Sequence, residues 1–122
     1  MSGPFYPLYP LYKVCAEAAF AEAMSKGRFE GSPGDRRDGF IHLSAADQLR
    51  GTLDKHFAGQ TGLVLLEVDA NRLGDGLNWE KSRGGALFPH LYAPLDLAAV
   101  LSVMKLELAE DGSHLLPVEV DA

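Results

Sequence analysis

The sequence predicts an α+β fold in a single compact domain, and three segments carry that prediction. Residues 16–26 (AEAAFAEAMSK) are rich in strong helix formers and place apolar side chains at helical spacing. Residues 62–69 (GLVLLEVD) are almost continuously apolar, as in a strand covered on both faces. Residues 104–108 alternate apolar and charged side chains, as in a strand with one face in water. This order favours α+β with a late antiparallel portion over a regular doubly wound sheet.

The first part of the chain predicts an arm that precedes the domain. Residues 1–10 interleave prolines with aromatic side chains, which favours an extended arm before a domain of residues 11–122. The rings of this arm either pack on the domain or dock on a partner. A short strand at residues 11–14 then leads into the first helix, which Gly27 ends. The glycine-rich residues 27–39 (GRFEGSPGDRRDG) predict a loop.

The middle and end of the chain alternate strands with turns. Residues 39–44 (GFIHLS) predict a strand, and the S-x-x-D pattern of Ser44 and Asp47 predicts a capping box for a helix that runs to Phe57. After the central apolar strand, Trp79 and Glu80 start a further short strand. The alternating strand near the end is followed by an Asp-Gly turn and by a last strand at residues 115–120.

Length, charge and cysteine content narrow the class of protein. The 122 residues are 47% hydrophobic, which is enough for one core. A formal charge of −6 argues against broad nucleic-acid binding, whereas a small anion held by a few cations is compatible with it. The single cysteine, Cys15, excludes an internal disulfide framework. The sequence has no apolar run of membrane-spanning length and no signal-peptide pattern, so we expect a cytoplasmic protein.

Two candidate site residues share one face of the strand at residues 39–44. A period of two places His42 and Ser44 on one face and Ile41 and Leu43 on the other, toward the core. As a helix cap, Ser44 would bring the free N–H groups of a helix start close to His42, and such groups favour an anion. The structural alternatives are a His42 imidazole bound to backbone or solvent and a Ser44 that serves only as a cap.

A second set of candidates lies in residues 82–92 (SRGGALFPHLY). Arg83 offers a forked donor for phosphate or carboxylate, while Gly84 and Gly85 allow close approach of a ligand or positive φ angles. His90 follows Pro89, where strand geometry is irregular. The structural alternatives are a solvated or ion-paired arginine and a plain turn. The large apolar residues between them are expected to pack and hold the segment rigid.

The remaining histidines and common motifs indicate no metal site. No pair of histidines has the H-E-x-x-H spacing of a zinc site. We expect His56 to complement the dipole at the end of the second helix and His114 to be exposed after the late turn. The sequence also lacks a Walker P-loop, a G-x-G-x-x-G turn and a G-x-S-x-G nucleophile elbow.

Several motifs in order resemble a known family. They are YKV near the start, DGFIHLS, Gln48 in the following helix, LVLLEVD, WEKSRGG and LFPHLYAPL. Over residues 11–117 the chain resembles the bacterial domain-of-unknown-function family 952 (DUF952). That resemblance implies a compact ADP-ribosyltransferase-like fold, with a split, mostly antiparallel sheet, two main helices and a cleft that holds NAD in the enzymes of that fold.

The same resemblance implies a set of site residues. By position, His42, Ser44, Arg83 and His90 match the polar motifs of the family. No clear late catalytic glutamate is present, and Glu80 in the WEKS segment is the one carboxylate that we connect with the site. We therefore expect three catalytic residues and four ligand-binding residues: His42, His90 and Glu80, and Ser44, Arg83, Gly84 and Gly85.

Three functional hypotheses follow. In the first, the cleft binds NAD, ADP-ribose or a related phosphorylated nucleotide, with ADP-ribosyl or phosphoryl transfer as the chemistry and NAD as a substrate. In the second, the same cleft is a non-catalytic module for a small anion or a protein partner. In the third, the arm at residues 5–12 docks on another chain and the polar cluster is structural. Fold alone does not decide between them.

Overall fold

Strands and short helices alternate along the computed structural model, which describes residues 10–117, the side chain of Arg83 excepted. Residues 1–9 of the predicted arm at residues 1–10 and the end of the predicted last strand therefore lie outside the described residues. In chain order the elements are β1 (Pro10–Ala16), α1 (Glu17–Lys26), β2 (Arg28–Phe29), α2 (Pro33–Asp38), β3 (Ile41–His42), α3 (Leu49–His56), β4 (Leu63–Asp69), β5 (Leu77–Lys81), β6 (Leu87–Leu91), β7 (Leu95–Asp96), β8 (Val100–Leu108) and β9 (His114–Leu115).

The strands of the described residues form three antiparallel sheets. The largest has the order β1-β4-β8-β9, a second pairs β2 with β7, and the third has the order β3-β6-β5. An isolated bridge between Tyr12 and Ser44 joins the largest sheet to the third, with backbone hydrogen bonds in both directions. The prediction of a mixed, mostly antiparallel α+β fold is thereby confirmed at the level of class.

Strand β4 is the centre of the molecule, as its apolar run predicts. Its alternate side chains enter two different hydrophobic clusters, because successive residues of a strand point to opposite faces. Val64, Leu66 and Val68 join the larger cluster, and Leu63 and Leu65 join a smaller one that packs against α3. Neighbouring β8 alternates as predicted, with Leu106 buried and Lys105 exposed.

The first helix forms as predicted, but the loop after it contains an element that we did not predict. Helix α1 ends at Lys26, and Gly27 closes it with a φ of 81°. Residues 27–39 were predicted to be a loop, and this prediction is wrong in part because Pro33–Asp38 forms α2. Ser32 is the N-cap residue of α2, and its backbone N–H donates a hydrogen bond to the Asp35 carboxylate in a capping box.

The capping box predicted at Ser44 and Asp47 is also wrong. The Ser44 hydroxyl is buried and hydrogen-bonds Thr52 at 2.9 Å, while Gln48 takes the capping role by accepting from the Ala45 N–H. The Gln48 amide also donates to the Leu87 carbonyl at 2.7 Å. A glutamine can satisfy both partners because its amide carries a donor and an acceptor. This second hydrogen bond connects the start of the helical region to β6.

The last described strand differs from the prediction in the position of its histidine. His114 was expected to be exposed, but it is buried, with its Nε2 at 2.9 Å from the Gln60 carbonyl. The His114 carbonyl accepts from Arg50 of α3 at 2.7 Å. Strand β9 covers only the beginning of the predicted residues 115–120, and residues 118–120 lie outside the described residues.

None of the helices within residues 10–117 has both the length and the apolar character that crossing a membrane requires.

Candidate functional site

Strand pairing brings the two histidine motifs together. In the third sheet, His42 of β3 lies opposite His90 of β6. The two imidazole rings meet edge to face with 5.6 Å between their centroids. Because residues two apart on a strand share a face, Tyr92 and the β5 residue Glu80 lie on the same side as His90. We call His42, His90, Glu80, Tyr92 and Phe40 the imidazole cluster.

Two carboxylates hold the ring of His42. Its Nδ1 lies 2.7 Å from Asp35 Oδ1, and its Nε2 lies 3.0 Å from Asp38 Oδ2. The His42 backbone N–H donates to the same Asp35 oxygen at 3.1 Å. Both aspartates belong to α2, which lies just before β3 in the chain. Helix α2 therefore contacts both the ring and the backbone N–H of His42, and these contacts fix the orientation of the imidazole.

Asp35 is itself paired with a buried lysine. Lys13 Nζ of β1 lies 2.8 Å from Asp35 Oδ2, and it also donates to the His42 carbonyl at 3.1 Å. Burial acts to raise the pKa of Asp35, but the hydrogen bond from His42 and the charge of Lys13 outweigh it, and the pKa falls to about 2. Asp35 is therefore an ionised acceptor throughout the neutral range.

A second carboxylate holds His90. Glu80 Oε1 lies 2.8 Å from His90 Nδ1 and accepts from the Tyr92 hydroxyl at 2.7 Å. The hydrogen bond from Tyr92, followed by that from His90, lowers the pKa of Glu80, and the same bond to Glu80 raises the pKa of Tyr92. Because an ionised carboxylate only accepts hydrogen bonds, His90 Nδ1 is the donor in its contact with Glu80.

Phe40 packs against both histidines. Its ring is stacked on His90 at 4.1 Å between centroids and tilted against His42 at 4.5 Å. It also contacts Tyr92 at 5.2 Å. His90 is only 5% exposed as a result of this packing, whereas the His42 side chain is 40% exposed. The open face of the imidazole cluster is thus the His42 side.

An open groove continues from the imidazole cluster past the ring of Phe40. Phe40 and Tyr92 belong to both, while the two imidazoles themselves do not line the groove. The groove is also lined by Pro94 and by three charged side chains, the guanidinium of Arg36 and the carboxylates of Glu30 and Asp35. The exposed Arg36 side chain makes no ion pair or side-chain hydrogen bond with the described residues. The groove therefore combines aromatic surface with a guanidinium group that is available to a ligand.

The structure places the predicted site residues in two groups. His42, His90 and Glu80, the three predicted catalytic residues, meet in the imidazole cluster. Ser44 lies outside it, because its hydroxyl is directed to Thr52 and its backbone to Tyr12.

The predicted residues Arg83, Gly84 and Gly85 form the turn of the β5–β6 hairpin. Both glycines have φ angles of 80°, which a side chain rarely adopts, and Ser82 N–H donates to the Ala86 carbonyl across the turn. This turn precedes β6 in the chain. Leu87, the first residue of β6, lies about 10 Å from His90 along the strand at the usual rise per residue, and the turn lies on the far side of Leu87. These positive φ angles are a sufficient structural reason for glycine at both positions of the turn.

Five further residues of the site were not identified from the sequence: Lys13, Asp35, Asp38, Phe40 and Tyr92. The pattern Ser32-Pro33-Gly34-Asp35 was a usable signal for a helix start, with a capping box and a proline in the first turn. The glycines around this pattern favour a loop and so conceal the helix start. No signal in the sequence pairs Lys13 with Asp35 across 22 positions.

Nothing in the described part of the chain resembles a metal cage. Within residues 10–117, no three histidine, cysteine, aspartate or glutamate side chains are arranged to hold a metal ion.

Comparison with known proteins gives a family and a fold. The family model described as "Protein of unknown function (DUF952)" matches residues 14–103. The crystal structure of protein CC0527 from Caulobacter crescentus is 48% identical, covers 93% of this chain and 99% of its own, and has a TM-score of 0.88. A solution NMR structure of CC0527 is 51% identical over 85% of this chain and 90% of its own, with a TM-score of 0.77. No curated protein matches the chain.

Proposed function

Because the chain belongs to the DUF952 family, whose description assigns no activity, we propose a function from the geometry of the imidazole cluster. We propose that the cluster and its groove bind a phosphorylated nucleotide such as NAD or ADP-ribose and that the two imidazoles transfer protons during cleavage of the ligand. The observation that carries the proposal is the pair His42 and His90, each held by a carboxylate through Nδ1. Paired imidazoles fixed by carboxylates are suited to general acid and base catalysis.

The groove supports a nucleotide rather than a simple anion. A planar base or nicotinamide ring can pack against the aromatic side chains of Phe40 and Tyr92 that line the groove. Arg36, which also lines it, can bind a phosphate through its forked donors. The chain as a whole is acidic, so this recognition depends on a few local cations, and Arg83 of the hairpin turn is a second candidate.

We further propose an ADP-ribosyltransferase-like fold, supported by the motif resemblance and by the division of the strands into antiparallel sheets. In that setting we assign to Glu80 the role of the catalytic carboxylate, and its bonds to His90 and Tyr92 hold it in place. Loss of nicotinamide from NAD develops positive charge on the ribose, and an ionised carboxylate stabilises such a centre. Phosphoryl transfer is the alternative chemistry, and it uses the same two imidazoles.

The binding proposal is tested by thermal unfolding with a panel of NAD, ADP-ribose, AMP and inorganic phosphate at millimolar concentration. We expect at least one nucleotide to raise Tm, because a ligand that binds only the folded state stabilises it. Arg36→Ala and His42→Ala should remove the shift, while His56→Ala, at the exposed end of α3, should keep it. A panel without any shift would overturn the proposal.

The burial of His90 favours one second candidate, a module that binds the same ligand without turnover. At 5% exposure beneath the Phe40 ring, His90 has little access to a reacting atom. Mass spectrometry of a nucleotide incubated with the protein separates the two candidates. A product that disappears in His90→Gln supports catalysis. Binding without any product supports the module.

A further inference from the structure

The groove adjoins a second hollow, and the two share Glu30 and Arg36 as lining residues. We call this second hollow the charged hollow, because its lining includes Glu22, Lys26, Arg28, Glu30 and Arg36. We propose that its three cations, Lys26, Arg28 and Arg36, form a diphosphate subsite and that the ligand of the groove is a nucleoside diphosphate or an ester of one. This assignment rests on the proposed function and narrows it to ligands with two linked phosphates.

Three neighbouring elements supply the cations. Lys26 is the last residue of α1, Arg28 is the first residue of β2, and Arg36 lies in α2. Gly31, which lies between β2 and α2, has a φ of 112°, and a Cβ atom there would lie 2.9 Å from Asp35 Cβ. A residue with a side chain would therefore force α2 away from the end of β2. Glycine at this position lets Arg36 line the same hollow as Arg28.

The charged hollow carries an excess of positive charge in an acidic chain. Three cations and two carboxylates, those of Glu22 and Glu30, line it, whereas the whole chain has a formal charge of −6. Lys26 and Arg28 lie near these carboxylates, but Arg36 has no ion pair with the residues that the structure describes. A local excess of positive charge attracts an anion even where the net charge of a protein is negative.

Glu30 occupies the position of an anion among the three cations. Its Oε1 lies 3.7 Å from Lys26 Nζ, and its Oε2 lies 2.9 Å from Arg28 Nε. The hydrogen bond from Arg28 lowers the pKa of Glu30 most, and the charges of Arg28, Lys26 and Arg36 lower it further. All three cations therefore act on one carboxylate, and their donors also suit the oxygens of a phosphate.

The contacts of Glu30 are of a kind that a ligand can replace. The side chains of Lys26 and Arg28 are 44% and 54% exposed, so their ion pairs are in contact with water and contribute little to stability. A phosphate group carries more charge than a carboxylate and has more acceptor oxygens. It can therefore displace Glu30 from the cations, in contrast to the buried pair of Lys13 and Asp35.

The order of the two hollows defines the class of ligand. A base that packs against Phe40 and Tyr92 in the groove places its first phosphate at Arg36, which lines both hollows. A second phosphate linked to the first then enters the charged hollow and contacts Lys26 and Arg28. A nucleoside monophosphate has no group for this hollow, whereas ADP, ADP-ribose and NAD each have one.

Isothermal titration calorimetry of the full chain with AMP, ADP, ADP-ribose and inorganic pyrophosphate tests the subsite. We expect ADP and ADP-ribose to bind about tenfold more tightly than AMP, because AMP has one phosphate only. The double variant Lys26→Met with Arg28→Met should weaken ADP binding about tenfold and change AMP binding less than about threefold. Lys55→Met with Lys105→Met removes two exposed cations elsewhere and is the matched control, which should keep both affinities within about threefold.

Glu30→Gln should have an effect of opposite sign. The substitution removes the charge that competes with the phosphate but keeps the shape of the side chain, so we expect ADP to bind about threefold to tenfold more tightly. Glu107→Gln removes an exposed carboxylate from β8 and should not increase the affinity by this amount. If Glu30 serves only to hold Lys26 and Arg28 in place, Glu30→Gln will weaken ADP binding or leave it unchanged.

The outcomes separate this inference from the proposed function. Equal affinities for AMP and ADP, equal losses for both in the Lys26, Arg28 double variant, or no gain for ADP in Glu30→Gln would overturn the subsite, while the binding of a nucleotide would still support the proposed function. If pyrophosphate binds and loses about tenfold in the double variant but no nucleotide binds more tightly than pyrophosphate, the subsite stands and the proposed function fails. Binding of none of the four probes would overturn both.

Discussion

Lys13 and Asp35 form a charged pair in a place where neither residue is usual. Both are nearly excluded from water and are joined at 2.8 Å, and β1 supplies one partner while α2 supplies the other. Two buried charges cost free energy to desolvate, and their attraction returns that cost only when geometry and further hydrogen bonds are good. The bonds to Ser32 and His42 meet that condition.

The first prediction follows from this pairing. Lys13→Met leaves the Asp35 carboxylate buried without its cation, and we expect a loss of about 3 to 5 kcal/mol in the free energy of unfolding. Urea denaturation measures it. Lys105→Met, at the exposed Lys105–Glu17 contact, should change that free energy by less than about 1 kcal/mol. Equal losses in the two variants would show that the buried pair contributes no more to stability than the exposed contact.

Asp35 also carries a prediction about acid. Its pKa is about 2 in the folded protein, below the value of about 3.9 for a free aspartate, so the unfolded chain binds the proton more readily between these values. The ionised Asp35 therefore contributes to the free energy of unfolding. This contribution is complete above the pKa of the unfolded state and declines as the pH falls toward 2, by about 2 kcal/mol in total.

Urea denaturation at a series of pH values between about 6 and 2.5 tests this dependence. We expect the decline in stability to be shallower in the Lys13→Met, Asp35→Asn double variant than in the wild-type protein. Asp47→Asn, which removes an exposed carboxylate, should keep the wild-type slope. If the free energy of unfolding falls with pH as steeply in the double variant as in the wild-type protein, the acid sensitivity belongs to other groups.

Residue types alone identified part of the site. His42, His90 and Glu80 were selected from their motifs, and the strand register brings them within contact of one another. Asp35 and Lys13 were not selected, because an aspartate beside arginines and a lysine within an apolar strand both look like surface residues. Their importance arises from burial, which depends on contacts that are distant in sequence.

At the scale of elements, glycines and caps define where the helices begin and end. Gly27 follows α1 with a φ of 81°, whereas Gly51 lies inside α3 with an ordinary φ angle. A Cβ atom at either position would meet nothing within 4 Å. The two sites therefore differ in backbone conformation and not in space, which makes them a matched pair.

We expect opposite effects of alanine at these glycines. Gly27→Ala forces a side chain into the left-handed region and should lower the free energy of unfolding by about 1 kcal/mol. Gly51→Ala restricts the unfolded chain and favours the helix, so it should raise that free energy by about 0.5 to 1 kcal/mol. Thermal and urea unfolding measure both changes. A change of the same sign in both variants would contradict the conformational explanation.

Elements with strong local patterns agree with the sequence better than elements with weak ones. Helix α1 and strands β4 and β8 were predicted within a few residues, because their periodicities extend over several turns or pairs. The sequence pattern did not predict helix α2, because the stability of a six-residue helix depends more on its cap and its tertiary contacts than on helix propensity. Asp35 shows this directly, since one side chain both closes the capping box and binds Lys13.

At the scale of the whole molecule, hydrogen bonds from distant parts of the chain join the late hairpin to the main body. His114 of β9 contacts the Gln60 carbonyl, and Arg50 of α3 donates to the His114 carbonyl. These bonds connect the edge of the four-stranded sheet with the helix that covers one of its faces. They also lie beside the smaller hydrophobic cluster, which includes Leu53 and Leu106.

His114 therefore has a predicted effect on global stability. His114→Ala leaves a cavity and an unpaired Gln60 carbonyl, so we expect a loss of about 2 to 4 kcal/mol in the free energy of unfolding. Leu115→Ala in the same strand removes a side chain that is 54% exposed and should cost less than about 1 kcal/mol. Urea denaturation compares them, and similar losses would show that the strand and not the histidine matters.

The sequence by itself determined the fold class, the central strand, the first helix and the two histidine motifs, because these depend on composition and on periodicities between near neighbours. Only the tertiary structure decided that His42 lies opposite His90, that Asp35 turns inward to Lys13 and that His114 is buried. The reason is physical. Strand register and the desolvation of charged groups depend on which distant segments pack together, and local patterns do not specify that packing.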